Sequence, residues 1–180
     1  MTLFREQYRI ESARKPYWDY TLPGWYFVTI CTREKRPHFG QVVSANVNLS
    51  SIGEYADACW KEIPQHHQHI GIDEFVVMPN HMHGIVIIGG PERLPELRKP
   101  EKFKQVAELN AVRPKANSLG AVVGSFKSAV TRWCVALHME FEWQPRFHDR
   151  IIRGRSSLKA IREYIRDNPA NWAKDAFYIT

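Results

Sequence analysis

The sequence predicts an α+β fold, a ferredoxin-like antiparallel sheet with helices packed on it, and three observations lead there. Strand and helix periodicities come one after another in the order strand, helix, strand pair, helix, strand, helix. The members of the strand pair are joined only by Pro79 and Asn80, a connection so short that they must run antiparallel. The 180 residues suffice for one well-buried core and not for two, so the elements must share it.

Residues 25–32 (WYFVTICT) come after the turn residues Pro23 and Gly24 and are rich in aromatic and β-branched side chains. They read as a strand, and their apolarity on both faces places it centrally. Residues 41–49 alternate weakly around Asn46 and Asn48, as a strand or a small hairpin does. From 51 to 63, Ile52, Tyr55, Ala56, Cys59, Trp60 and Ile63 recur at helical spacing, Ser51 and Glu54 suggest a capping box, and Pro64 ends the run. Strands are predicted over 73–78 and 82–88.

Residues 89–117 hold four prolines and seven basic residues with little apolar periodicity. They read as a long loop with one weak helical turn over 103–109. Over 119–137 a helix face returns in Leu119, Val122, Val123, Phe126, Val130, Trp133, Cys134 and Leu137. Phe141 and Trp143 alternate with polar neighbours as in a strand that continues irregularly toward Ile152. Ser157 is then expected to cap a last helix with Leu158, Ile161 and Ile165 as its buried stripe, ended near Asn168 by Pro169. The organisation is an N-terminal extension over 1–22, a single domain over 23–172 with a loop insertion at 89–117, and a C-terminal tail over 173–180.

Six Trp and nine Phe supply ample core and exclude wholesale disorder. A formal charge of +6 makes phosphate backbones or anionic surfaces plausible partners. The excess is uneven, since residues 144–166 carry seven Lys or Arg against two acids. Cys31, Cys59 and Cys134 are odd in number and set in apolar runs, which suits reduced thiols and a cytoplasmic location. The first twenty residues lack the apolar stretch of a signal peptide, and no apolar run reaches the roughly 18 residues that span a membrane.

Two motifs carry candidate chemistry. His81 and His83 flank Met82 at the start of a predicted strand, whose period of two turns both imidazoles to one face, where they could chelate one cation. Two ordinary strand histidines would look the same. Tyr164 lies one position from the apolar stripe of the last helix, and Asn168, four residues on, stacks on the same face. A phenol titrates near 10, so a tyrosine nucleophile needs a metal or a nearby positive charge, which Arg162 and Arg166 could offer. A boundary tyrosine and a helix-capping asparagine remain the alternative.

Arg146, Arg150, Arg153, Arg155, Arg162 and Arg166 form either a DNA-binding surface or a solvated face, and Lys127 either touches DNA or is an exposed helix lysine. His66, His67 and His69 come after Pro64 and read as a solvated loop. Tyr17, Trp18 and Tyr20, near Arg14 and Lys15, either stack on unpaired bases or anchor the N-terminal arm.

Together, WYFVTICT (25–32), DEFVVMPNHMHGIVII (73–88), SFKSAVTRW (125–133) and IREYIRDNPANW (161–172), in this order, resemble the IS200-like single-tyrosine (HUH) transposases, and within them the REP-associated tyrosine transposase branch. The resemblance implies a metal-dependent nuclease and strand transferase acting on single-stranded or hairpin DNA, as a monomer or a homodimer. It implies His81, His83 and Asn168 as metal ligands and Tyr164 as the nucleophile of a 5′-phosphotyrosyl intermediate. Insertion-sequence relatives more often have glutamine where Asn168 stands. The implied ligands suit Mg²⁺ in the cell with Mn²⁺ as substitute, although histidines hold Zn²⁺ or Ni²⁺ more tightly. The rival readings are a non-catalytic, sequence-specific nucleic-acid-binding module and a metal phosphodiesterase that uses water.

Overall fold

A computed structural model describes residues 18–89 and 117–178. The helical turn expected over 103–109 and the residues Arg14, Lys15 and Tyr17 lie outside them. Four strands form the main sheet: β1 (Gly24–Cys31), β4 (Ile70–Met78), β5 (His81–Ile88) and β6 (His148–Ile152). Their order is β4-β5-β1-β6 and every neighbouring pair is antiparallel. The central place expected for residues 25–32 is thus the one β1 takes. Residues 41–49 form the hairpin of β2 (Gly40–Val43) and β3 (Asn46–Leu49), a separate two-stranded sheet.

The strand period divides the sheet into two faces. Tyr26, Val28 and Ile30 of β1, with Met82, Val86 and Ile88 of β5, meet α1 (Ser51–Lys61) and α3 (Leu119–Ala136) in the larger core. The single turn α2 (Ile63–His66) adds Ile63 to it. Gly84 is required here, because a Cβ on it would come within 2.5 Å of Cζ2 of the fully buried Trp60. Trp25, Ile85, Ile87 and Ile152 face the other way and bury Leu158, Ile161 and Ile165 of α4 (Arg155–Asp167). Among the described residues, α4 alone crosses this second face. It leaves the β5 end that carries His81 and His83 to be covered by the chain beyond α4.

Local signals moved by one to three residues. Ser50, not Ser51, caps α1 by accepting from the Gly53 backbone. The last helix begins at Arg155 with Gly154 at its N-cap, so Ser157 lies inside its first turn and caps nothing. Trp143 contributes only an isolated bridge to Thr32 rather than a strand. Its indole instead donates to the Lys127 carbonyl at 3.1 Å, which draws residues 140–147 against α3. The three cysteines are free, with Cys31 and Cys134 buried.

Candidate active site

Residues 81 and 83 open β5 opposite Cys31 and Thr29 of β1 and opposite Met78 and Val76 of β4. Because they occupy alternate positions, their imidazoles emerge on the α4 face with their Nε2 atoms 3.1 Å apart. Both are buried, at 0% and 2% exposure. The outer nitrogens are engaged too: His81 Nδ1 lies 2.9 Å from Asn80 Oδ1, and His83 Nδ1 lies 2.8 Å from Thr29 Oγ1. Burial pushes His81 down to about 2, with help from the charges of His83 and Lys35. Burial likewise holds His83 at about 4, against an upward pull from Asp175. Both rings are therefore neutral at pH 7, and a proton does not compete for their lone pairs.

The last helix delivers Tyr164. Its stripe of Leu158, Ile161 and Ile165 fixes the rotation of α4, and Tyr164, beside that stripe, reaches His83 Nε2 with its hydroxyl at 3.1 Å. The ring packs edge-on against Phe27. Burial and the charge of Asp175 raise the phenol above its ordinary value, offset in part by Asn168. Arg162 pairs with Asp73 at 2.8 Å and Arg166 with Glu74 at 2.7 Å, which braces α4 against β4.

Asn168, the C-cap of α4, is buried; its amide donates to Asp175 Oδ2 at 3.0 Å, while its Oδ1 is buried without a hydrogen-bond partner. Trp172 and residues 173–178, the described part of the expected tail, fold back over the histidines. Phe177 packs 4.5 Å from the His81 ring and Trp172 5.9 Å from it. Asp175 brings a carboxylate oxygen within 4.8 Å of His81 and His83 nitrogens, which makes a three-residue group able to hold a cation. Sequence reasoning missed Asp175. It stands seven residues past Asn168 in an irregular segment, and only the turn through Trp172–Lys174 returns it to the site.

The other residues singled out from the sequence fall partly on the site face and partly away from it. Arg150 shares the site face, since it pairs with Phe27 across β1 and β6, and it is exposed. Arg153 and Arg155 are exposed where β6 meets α4. Lys127 turns inward from α3, donating to the carbonyls of Gln144 at 2.8 Å and Arg146 at 3.2 Å. His66 faces Glu62 at 3.7 Å, and no metal-holding group forms around it among the described residues. No helix of the described residues is long and apolar enough to cross a membrane.

The fold is similar to that of a REP-associated tyrosine transposase, the branch that the four sequence stretches resemble. A REP-associated tyrosine transposase bound to a REP hairpin superposes with a TM-score of 0.57, covering 91% of this chain and 74% of that one at 18% identity. The chain belongs to one family with an uncharacterized protein of Haemophilus influenzae, to which it is 34% identical over 173 residues, 93% of this chain and 92% of that one. No protein-family model matches it.

Proposed function

We propose that the chain is a metal-dependent DNA strand transferase of the single-tyrosine type, acting on single-stranded or hairpin DNA. The reading is carried by one observation, the Tyr164 hydroxyl held 3.1 Å from His83 Nε2, which is itself 3.1 Å from His81 Nε2. A boundary tyrosine kept only for packing has no need to lie beside two buried, neutral imidazoles.

The residues fit a divalent cation. His81 and His83 offer lone pairs, Asp175 a carboxylate, and Asn168 a buried oxygen with nothing else to bind. This mixed nitrogen and oxygen set suits Mg²⁺ with Mn²⁺ as substitute. When bound, the cation polarises the scissile phosphodiester and stabilises charge on the leaving oxygen. Tyr164 must lose its proton before it attacks, and its raised pKa makes nearby positive charge a condition of that loss. Its oxygen then bonds to phosphorus as the bond to the 3′ oxygen breaks. The products are a 5′-phosphotyrosyl enzyme and a 3′ oxygen that takes up a proton. Rejoining is the reverse attack by a 3′-OH, and because the bond energy stays in the phosphotyrosine, no nucleotide is consumed.

The nucleic acid contacts assigned to this reading are Arg150, Arg153 and Arg155, exposed along β6 and at the mouth of α4. Arg162 and Arg166 hold the tyrosine helix through Asp73 and Glu74 at the surface of α4, where they can also face DNA, and Lys127 holds residues 144–146.

Incubation with a labelled hairpin and Mn²⁺ is expected to give a denaturation-resistant adduct that disappears in Tyr164→Phe. An adduct undiminished in that variant defeats the assignment. Tight, salt-sensitive binding that survives His81→Ala, with no adduct from the wild type, would leave a nucleic-acid-binding module instead.

A further inference from the structure

Asn80 sits in the two-residue turn between β4 and β5 with 1% of its surface exposed, and both ends of its carboxamide are engaged. The end that faces Phe177 meets a backbone carbonyl at 2.8 Å, so it must be the NH2 group. Oδ1 is left facing His81 Nδ1 at 2.9 Å, and a carboxamide oxygen can only accept. His81 must then carry its hydrogen on Nδ1. Its Nε2 keeps a bare lone pair, aimed at His83 Nε2 at 3.1 Å.

The opposite arrangement has no escape. With the hydrogen on Nε2, His81 Nδ1 and Asn80 Oδ1 would be two buried acceptors in contact. Rotating the amide to relieve that contact would set Oδ1 against the Phe177 carbonyl. The turn cannot yield easily either, because the Asn80 carbonyl accepts from the backbone N–H of the fully buried Thr32 at 2.9 Å, and the Thr32 hydroxyl, shared with the Arg36 carbonyl, lies 2.9 Å from it as well.

We propose that Asn80 is a positioning residue: it selects the His81 tautomer that leaves Nε2 open to a cation, using the Phe177 carbonyl to fix its own orientation. The purpose of that selection rests on the metal reading above, whereas its geometry does not. It makes the seat of the C-terminal segment part of the metal site, in addition to the carboxylate that Asp175 supplies.

The test uses the full chain labelled with nitrogen-15. In the metal-free wild type, the imidazole nitrogen shifts are expected to place the His81 hydrogen on Nδ1. Asn80→Ala is expected to mix the tautomers and to weaken Co²⁺ binding roughly 10- to 100-fold, the range typical of lost outer partners of metal ligands. In Asn80→Asp, nearly the same shape, one carboxylate oxygen still accepts from Nδ1–H while the other loses its bond to the Phe177 carbonyl, so this variant is expected to restore the tautomer even though the C-terminal segment is held less firmly. A folded Asn80→Ala protein with His81 unchanged and Co²⁺ affinity intact overturns the proposal. So does a folded Asn80→Asp protein that loses the tautomer, which keeps the test decisive if the alanine variant fails to fold. A wild type that binds no Co²⁺ sinks the metal reading, while the nitrogen shifts still judge Asn80 by themselves.

Discussion

Tyr164 and His83 are 81 positions apart in the chain and 3.1 Å apart in space, and the chemistry of each depends on the other's surroundings. The phenol is half-exposed, so Tyr164→Phe removes one hydrogen bond without opening a cavity. Its cost is expected to stay near 1 kcal/mol in a denaturant titration, while the covalent adduct is lost completely. The histidines set a pH dependence of their own. In the unfolded chain they titrate near 6.5; in the folded chain they stay neutral down to about 4 for His83 and about 2 for His81. Below pH 6.5 the unfolded state therefore binds more protons. Stability that is fully present above 6.5 is lost as pH falls through that window. Thermal melts of the metal-free protein are expected to drop steeply between pH 6.5 and 4, and less steeply in His83→Phe. Equal slopes in the two proteins would show that the His83 ring is not buried neutral.

At the scale of elements, β5 serves both faces of the sheet. Its odd positions carry His81 and His83 toward α4; Gly84 on the even side lets Trp60 lie flat against the strand. Gly84→Ala is expected to cost about 1–3 kcal/mol, because the new methyl meets a fully buried indole rather than a flexible chain end. Denaturant midpoints check it. The helix α4 is held by its apolar stripe and by the Arg162–Asp73 pair, which is partly exposed and so contributes under about 1 kcal/mol to stability. Arg162→Ala is therefore expected to lower adduct formation by slackening the tyrosine helix, with the melting temperature nearly unchanged. If the melting temperature falls as far as the activity, the pair is structural and nothing more. These elements were legible from period and turn chemistry. Where the reading slipped at Ser51 and Ser157, the helix start lay one to three residues earlier; at Trp143 a tertiary contact overrode a local signal, since the residue had the alternation of a strand but its indole found a better partner in the α3 backbone.

Across the whole molecule, positive charge gathers on β6 and the start of α4, beside the histidine face. If Arg150, Arg153 and Arg155 each neutralise a phosphate, replacing all three by Gln is expected to weaken single-strand binding. It should also flatten the logarithmic salt slope by about 2, at roughly 0.7 per contact. Titrations at several salt concentrations read both, and an unchanged slope places the DNA elsewhere. The sequence by itself determined an antiparallel sheet with helices packed on it and the pairing of two histidines on one face, since a strand's period of two and a helix's of 3.6 are local rules. It also put a tyrosine and an asparagine one turn apart. Only the tertiary structure decided that these two pairs meet, that Lys127, Arg162 and Arg166 find partners within the chain, and that Asp175 and Phe177 lie beside the histidines. No spacing announces such contacts. They arise where α4 docks on the second face of the sheet and the chain turns back at Trp172, and both events are governed by burial summed over distant residues.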